Sequence, residues 1–413
     1  MTRVLDRAGL GALLARPEVR AALGALDGLG EETRLVGGCV RDALLGSGVA
    51  DLDLATTLLP EAVMAQARIA RIKAVPTGIA HGTVTLVTEG GPIEVTTLRE
   101  DVETDGRHAV VRFGRDFDRD AQRRDFTVNA LSLGADGCLY DPVGGIADLG
   151  AGQVRFIGEP ATRIREDGLR ILRFFRFHAR FGREEPDPAS LAACVAARDA
   201  LDRLSRERVR AEFLKLLAAP GGTATVALLA GTGLLQRITG GVAELGRLRR
   251  AVAADLSPIL RLAALSVGAR HDSDRLRDRL RLSRAETAAL DAYAAALTSL
   301  HGRAVVDADA ARALGTVHGP RGVADALAIV AGEPHPHVTE SARAALADLL
   351  ERGAAPAFPL AGADLVARGV APGPAVGRGL AAARALWLEG GCPTGEAVAG
   401  MLLERALAVA RAG

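Results

Sequence analysis

Apolar and polar residues alternate in short period-two runs over the first third of the chain, and recur near every 3.6 residues after it. The runs at 34–36, 51–55, 82–88 and 93–98 predict strands, and Gly90-Gly91 between the last two predicts a hairpin. Helical spacing follows Gly38 and Pro60, and residues 1–28 predict one or two further short helices. From about residue 152 the pattern predicts helices alone. An Arg- and Phe-rich block over 160–218 ends at Pro220-Gly221-Gly222, a second block runs to about 300, and a third, richer in Gly and Pro, fills 301–413. The expected fold is therefore α+β: one domain with a small mixed sheet, then an all-α extension.

Two features of the first domain carry chemistry. In Gly37-Gly38-Cys39-Val40-Arg41-Asp42 a glycine pair opens a helix, leaving backbone N–H groups where a phosphate can approach closely. In Asp51-Leu52-Asp53 burial of Leu52 forces both carboxylates to the opposite face of a strand. Close, unpaired carboxylates repel unless a cation sits between them. Each piece alone has an ordinary reading, as a turn or a chance Asp-x-Asp. Together, about ten residues apart, they point to phosphoryl or nucleotidyl transfer.

Two more constellations follow. Arg123-Arg124-Asp125-Phe126-Thr127-Val128-Asn129 offers adjacent arginines for triphosphate or ribose, with Asp125 placed to orient them; a surface ion pair is the plain alternative. Glu166-Asp167-Gly168-Leu169-Arg170 is expected on a helix, where Asp167 and Arg170 share a face that Arg173 and Arg176 extend. Between 155 and 183 eight arginines meet three acids, which suggests an anionic partner more than a solvated face. An Asp–Arg fork also has a base-reading logic. Cytosine and adenine both place an amino donor beside a ring-nitrogen acceptor, whereas uracil and guanine present a carbonyl and an N–H.

Composition narrows the class. At 413 residues and 49% hydrophobic content the chain should hold two to four domains with real cores. The formal charge of +1 makes any basic surface local, and nearly all positive charge is Arg, Lys73 and Lys215 being the lysines. Cys39, Cys138, Cys194 and Cys392 have no paired spacing, which argues against a zinc site or disulfides and fits a reducing cytoplasm. The N-terminus lacks a signal-peptide profile, and the longest apolar stretch, 223–235, is too short to span a bilayer. A soluble, cytoplasmic protein without a membrane partner is expected.

Taken in order, these motifs resemble those of the class II CCA tRNA nucleotidyltransferases and the related bacterial poly(A) polymerases, of the polymerase beta-like superfamily. Asp141-Pro142-Val143-Gly144-Gly145 and Ser205-Arg206-Glu207-Arg208 with Glu212 add to the match, which is dense over about 33–215 and weaker beyond, where Gly362-Ala363-Asp364-Leu365 and Pro372-Gly373-Pro374 resemble the C-terminal helical region. The resemblance implies a nucleotidyltransferase head over 1–150, a base-recognising helical neck over 151–220, a body over 221–300 and a tRNA-binding tail over 301–413. It implies Mg²⁺ held by Asp51 and Asp53, with Glu94 a candidate third acid. It further implies nucleotide contacts from Gly37, Gly38, Arg41 and Arg124, with Asp167 and Arg170 as the base reader beside Arg173 and Arg176. The implied reaction is template-independent addition of CCA to the tRNA 3′ end from CTP and ATP, releasing pyrophosphate.

Two alternatives stay open: a poly(A) polymerase of the same family, and an RNA-binding protein that has lost catalysis. In the segment Val111-Arg112-Phe113-Gly114-Arg115-Asp116-Phe117-Asp118 acids stand where the poly(A) polymerase signature has bases. Residues 99–112, including Asp105-Gly106-Arg107-His108, resemble the flexible loop of enzymes that add the terminal A. Both features favour CCA addition. His271-Asp272 is read as a surface loop, not as part of a phosphohydrolase site, because no upstream His stands at ligand spacing. RNA binding should rest on phosphate contacts and fall steeply with salt, since 3% aromatic content leaves little for base stacking.

Overall fold

The computed structural model describes residues 5–28, 30–104, 109–183 and 185–412, of which 100–104 and 109–112 are described by backbone alone. The chain divides into two compact units, Met1–Arg237 and Ile238–Gly413.

In the first unit the Asp6 carboxylate accepts the Ala8 N–H and starts α1 (Arg7–Ala15), and Pro17 opens α2 (Pro17–Leu26). Then come β1 (Thr33–Val36), α3 (Gly38–Leu44), β2 (Leu52–Thr56), α4 (Pro60–Ile69), β3 (Lys73–Gly78), β4 (Thr83–Thr88) and β5 (Gly91–Thr97). They are followed by β6 (Arg99–Thr104), β7 (Ala109–Phe113), α5 (Phe117–Gln122), β8 (Ser132–Gly134), β9 (Leu139–Tyr140) and α6 (Gly145–Ala151). Seven strands form one mixed sheet in the order β3-β4-β5-β2-β1-β8-β9, while β6 and β7 pair as a separate antiparallel ribbon. β2 runs parallel to β5 with Asp53 beside Glu94; the other pairings in the sheet are antiparallel. Each expected strand is present with ends shifted by a residue or two, and Asp51 falls just outside β2. Of the expected loop over 99–112, residues 105–108 lie outside the described residues.

The helical part of the first unit holds α7 (Pro160–Glu166), α8 (Arg170–Phe181), α9 (Pro188–Ala196), α10 (Arg206–Ala218), α11 (Gly222–Gly231) and the start of α12 (Leu234–Thr239). The single helix expected across 166–170 is a correction: α7 ends at Glu166 and α8 begins at Arg170. Asp167 between them is extended (φ −150°, ψ 107°), and its carboxylate accepts the Leu169 N–H at 3.0 Å. An Asp followed by Gly prefers this local bond to a place in mid-helix.

Six of the ten phenylalanines pack into one cluster that joins α8 to the strand-bearing part. Phe126 contacts Phe156 and Phe177 at 4.8 and 5.3 Å between ring centroids, and Phe156 stacks on Phe174 at 5.8 Å. The scarce aromatic surface is thus spent on fixing α8, and with it the arginine row, against the sheet domain.

The second unit contains α13 (Leu245–Ala253), α14 (Pro258–Ser266), α15 (Arg270–Leu280), α16 (Arg284–His301), β10 (Val305–Val306), α17 (Ala308–His318), α18 (Pro320–Val330), β11 (His337–Val338), α19 (Glu340–Arg352), α20 (Gly362–Val366), α21 (Pro374–Glu389) and α22 (Glu396–Arg411). β10 and β11 form a two-residue parallel pair in a stretch expected to be wholly helical, too short to leave a period-two pattern. His271-Asp272 is likewise corrected from loop to the first turn of α15, where Asp272 accepts the N–H groups of Gly268 and Ala269. Trp387, Leu365, Leu402 and Ala406 centre one core of this unit, with the Phe358 ring against Trp387 at 5.4 Å.

Candidate active site

β1 delivers the chain to Gly37, whose φ of +73° favours glycine and turns the backbone into α3. A Cβ at Gly37 would lie 2.8 Å from the Arg124 guanidinium, so glycine here also makes room for that side chain. On neighbouring β2, Leu52 and Leu54 are buried and Asp53 is half-buried on the other face, with exposed Asp51 just ahead. Burial pushes the Asp53 carboxyl up, and repulsion from Glu94 and Asp51 adds to it against the opposing charge of Arg124. Among the described residues neither the Asp51 nor the Asp53 carboxylate makes a hydrogen bond or ion pair.

These groups line a cleft of about 600 Å³. Its sheet side presents Gly37, Gly38, Arg41, Asp51, Asp53 and Arg124; α8 and the turn before it present Asp167, Arg170, Arg173 and Arg176. The volume falls within the usual range for small-ligand sites, about 300–1,000 Å³. Every residue nominated from the sequence is brought together there except Glu94. That side chain is exposed, lies beside Asp53 in the β2–β5 register and does not line the cleft. Among the described residues no group of three or more His, Cys, Asp or Glu is arranged to hold a metal.

The arginine row is compensated, which corrects the expected charge excess. Arg173 pairs with Asp125 at 2.5 Å, Arg176 with Glu212 at 2.6 Å, Arg180 with Asp42 at 3.1 Å, and Arg170 with Glu166. Asp125 does not orient Arg123 and Arg124, as its position suggested; Asp120, one turn earlier, holds both. Asp125 instead accepts from Phe126 N–H, the Asn129 amide and Arg173. Arg41 is buried, donates to Asp42 and Asn129, and lies 4.3 Å over the Phe181 ring. Burial lowers its pKa, partly offset by Asp42.

Three further cleft residues had no role assigned from sequence: Asn129, Arg180 and Arg208. Arg208 donates to Asp167 Oδ2 at 2.7 Å, so both arms of the expected Asp–Arg fork are engaged, Asp167 by Arg208 and Arg170 by Glu166. Ser205-Arg206-Glu207-Arg208 contained the clue, but only the fold shows its target. Arg163, also missed, donates to the Arg123 and Arg124 carbonyls and braces that loop.

Comparison with known proteins agrees with this geometry. The family described as Poly A polymerase head domain matches residues 33–155, and one described as probable RNA and SrmB-binding site of polymerase A matches 185–244. A CCA-adding enzyme of Limosilactobacillus fermentum is 32% identical over 371 residues, spanning 87% of this chain and 90% of that protein. The mitochondrial CCA tRNA nucleotidyltransferase 1 of Danio rerio is 40% identical over 263 residues, 62% of this chain; that match spans only 61% of the relative's length. The crystal structure of the Bacillus stearothermophilus CCA-adding enzyme in complex with CTP superposes with a TM-score of 0.70 at 26% identity, covering 96% of this chain and all of that one. The chain belongs to the family of CCA-adding tRNA nucleotidyltransferases and bacterial poly(A) polymerases.

Proposed function

We propose that this protein adds CCA to the 3′ end of tRNA without a template, using CTP and ATP and releasing pyrophosphate. The observation that carries the proposal is the shared cleft, in which Asp51 and Asp53 face the same space as Asp167 and Arg170. The relatives named for CCA addition, including one aligned over most of both chains, support the same reading.

Asp51 and Asp53 suit a hard divalent cation: they are crowded oxygen donors without a protein partner, and Asp53 is held partly out of water. We assign them to Mg²⁺, which when bound supplies charge neutralisation of the triphosphate and activation of the attacking hydroxyl. With two protein carboxylates, substrate phosphates and water would complete its coordination.

The chain's own groups do the positioning. The backbone at Gly37-Gly38 lets phosphates approach without a side chain in the way, while Arg124, steadied by Asp120, and Arg41, steadied by Asn129, supply fixed positive charge. Asp167 accepts from the amino group of cytosine or adenine and Arg170 donates to the ring nitrogen. Carboxylate oxygens have spare lone pairs even while bonded to Arg208 and Leu169. We place these steps in a head over 1–150 and a neck over 151–220, with the body over 221–300 and the tail over 301–413 binding tRNA, in a cytoplasmic setting.

The test is incubation of the purified protein with Mg²⁺ and a tRNA lacking its 3′ end, with each labelled nucleotide alone and together. CCA addition requires CTP before ATP and stops after three nucleotides. Extension by ATP alone would identify the poly(A) polymerase alternative, and tRNA binding without incorporation the inactive one.

A further inference from the structure

Around the cleft the arginines are tied to carboxylates. At the outer edge of the sheet the situation is reversed. The side chains of Arg68 and Arg71, at the end of α4, and of Lys73, the first residue of β3, are exposed and make no ion pair or hydrogen bond among the described residues. They line an open groove of about 610 Å³ whose floor is the partly buried Met64 and Ile72, and whose one acidic lining residue is Glu61. Cations at the end of α4 also complement its dipole, which is the plain alternative for Arg68.

Two observations favour a ligand. Arg71 sits at φ +59°, a left-handed conformation where glycine would be unstrained, so a long cation occupies a position that disfavours it. β3 is an edge strand, yet its pairing with β4 shifts register between Val75 and Gly78, and it carries Pro76. Such an edge resists addition of a partner's strand. What remains is a cationic rim over an apolar floor, suited to a phosphodiester backbone.

We propose that this groove binds the phosphate backbone of the RNA substrate, as a docking surface separate from the catalytic cleft. β3 lies three strands from β2 in the sheet order, roughly 14 Å at the usual strand spacing, so one RNA molecule can reach both. The inference rests on the reading of the chain as an RNA-extending enzyme.

The test compares the full-length wild type with the triple variant Arg68→Gln/Arg71→Gly/Lys73→Gln and the conservative Arg71→Lys/Lys73→Arg. Binding of a fluorescent tRNA lacking its three terminal nucleotides is titrated across NaCl concentrations, and steady-state KM is measured for tRNA and for CTP. The triple variant should bind about tenfold more weakly near 0.1 M salt, and its salt slope should be shallower by about two to three, at roughly 0.9 per lost phosphate contact. KM for tRNA should rise in parallel while KM for CTP stays put, and the conservative variant should behave as wild type. If the triple variant is unstable, Arg71→Gly alone carries the test, since it relaxes the backbone, and should lower the slope by about one. Unchanged tRNA affinity and salt slope overturn the proposal, including the case in which the groove serves a protein partner or only stabilises α4. Failure of the wild type to incorporate nucleotides, with tRNA binding intact, would instead sink the proposed activity alone.

Discussion

Asp167 Oδ2 accepts a hydrogen bond from Arg208 at 2.7 Å across 41 positions of sequence, while its Oδ1 accepts the Leu169 N–H just ahead of the helix that carries Arg170. One carboxylate thereby ties α10 to the turn before α8 and has its orientation fixed from both sides. In the proposed function Arg208 is a positioning residue for base selection. Arg208→Met should raise misincorporation of UTP relative to CTP by roughly tenfold, the scale of one charge-assisted hydrogen bond, with Arg208→Lys recovering part of it. The measurement is kcat/KM for each nucleotide offered singly. Equal selectivity in wild type and Arg208→Met would remove Arg208 from this role.

Asp53 gives a prediction in which activity and stability move in opposite directions. Burial, then Glu94 and Asp51, disfavour its charged form in the folded state. Asp53→Asn should abolish nucleotide addition yet raise Tm in metal-free buffer, by about 2–4 °C per kcal/mol of relieved repulsion for a unit of this size. Added Mg²⁺ should raise the Tm of the wild type and leave that of the variant nearly unmoved. A variant that melts lower than wild type without metal contradicts the uncompensated-carboxylate account.

The half of the cleft built on Gly37 and the Asp51–Asp53 segment was legible because its logic is local. Leu52 and Leu54 set the face of Asp53, and Gly37 stands at the strand–helix junction, all within a few residues of one another. The other half depends on contacts that no local pattern carries. The Arg173–Asp125 pair spans 48 positions and Arg176–Glu212 spans 36, so a row that reads as a charge excess is neutralised from elsewhere in the fold. The break at Asp167 had a signal, the Asp-Gly step, but the strong apolar periodicity of 169–177 outweighed it in a reading based on helical spacing.

Asp125 and Arg173 join the sheet domain to α8 through a nearly buried carboxylate. A double-mutant cycle on Asp125→Asn and Arg173→Gln should give a coupling energy of about 1.5–3 kcal/mol in chemical denaturation. Asp125→Asn alone should also lower kcat/KM, because Arg173 lines the cleft and loses its anchor. Additive single effects within about 0.5 kcal/mol would mean the pair is not a structural hinge point.

In the second unit, Glu333 contributes a pH dependence. Burial pushes its carboxyl up, but hydrogen bonds and charge from Arg247, with His301 and Arg250, outweigh this and hold it below its ordinary 4.5. The unfolded chain then binds more protons than the folded one between the folded value and 4.5, so stability rises with pH across that window. The contribution is fully present above pH 4.5 and is lost as pH falls through the folded value. Removing the carboxylate also leaves Arg247 and Arg250 without it, a penalty of about 1 kcal/mol for a partly exposed cluster. Glu333→Gln should accordingly destabilise the second unit at neutral pH, and the difference from wild type should shrink as both are acidified below 4.5. Urea unfolding of both proteins at a series of pH values measures this directly. Curves that stay parallel down to acid pH would show that Glu333 acts through packing, with its charge contributing nothing.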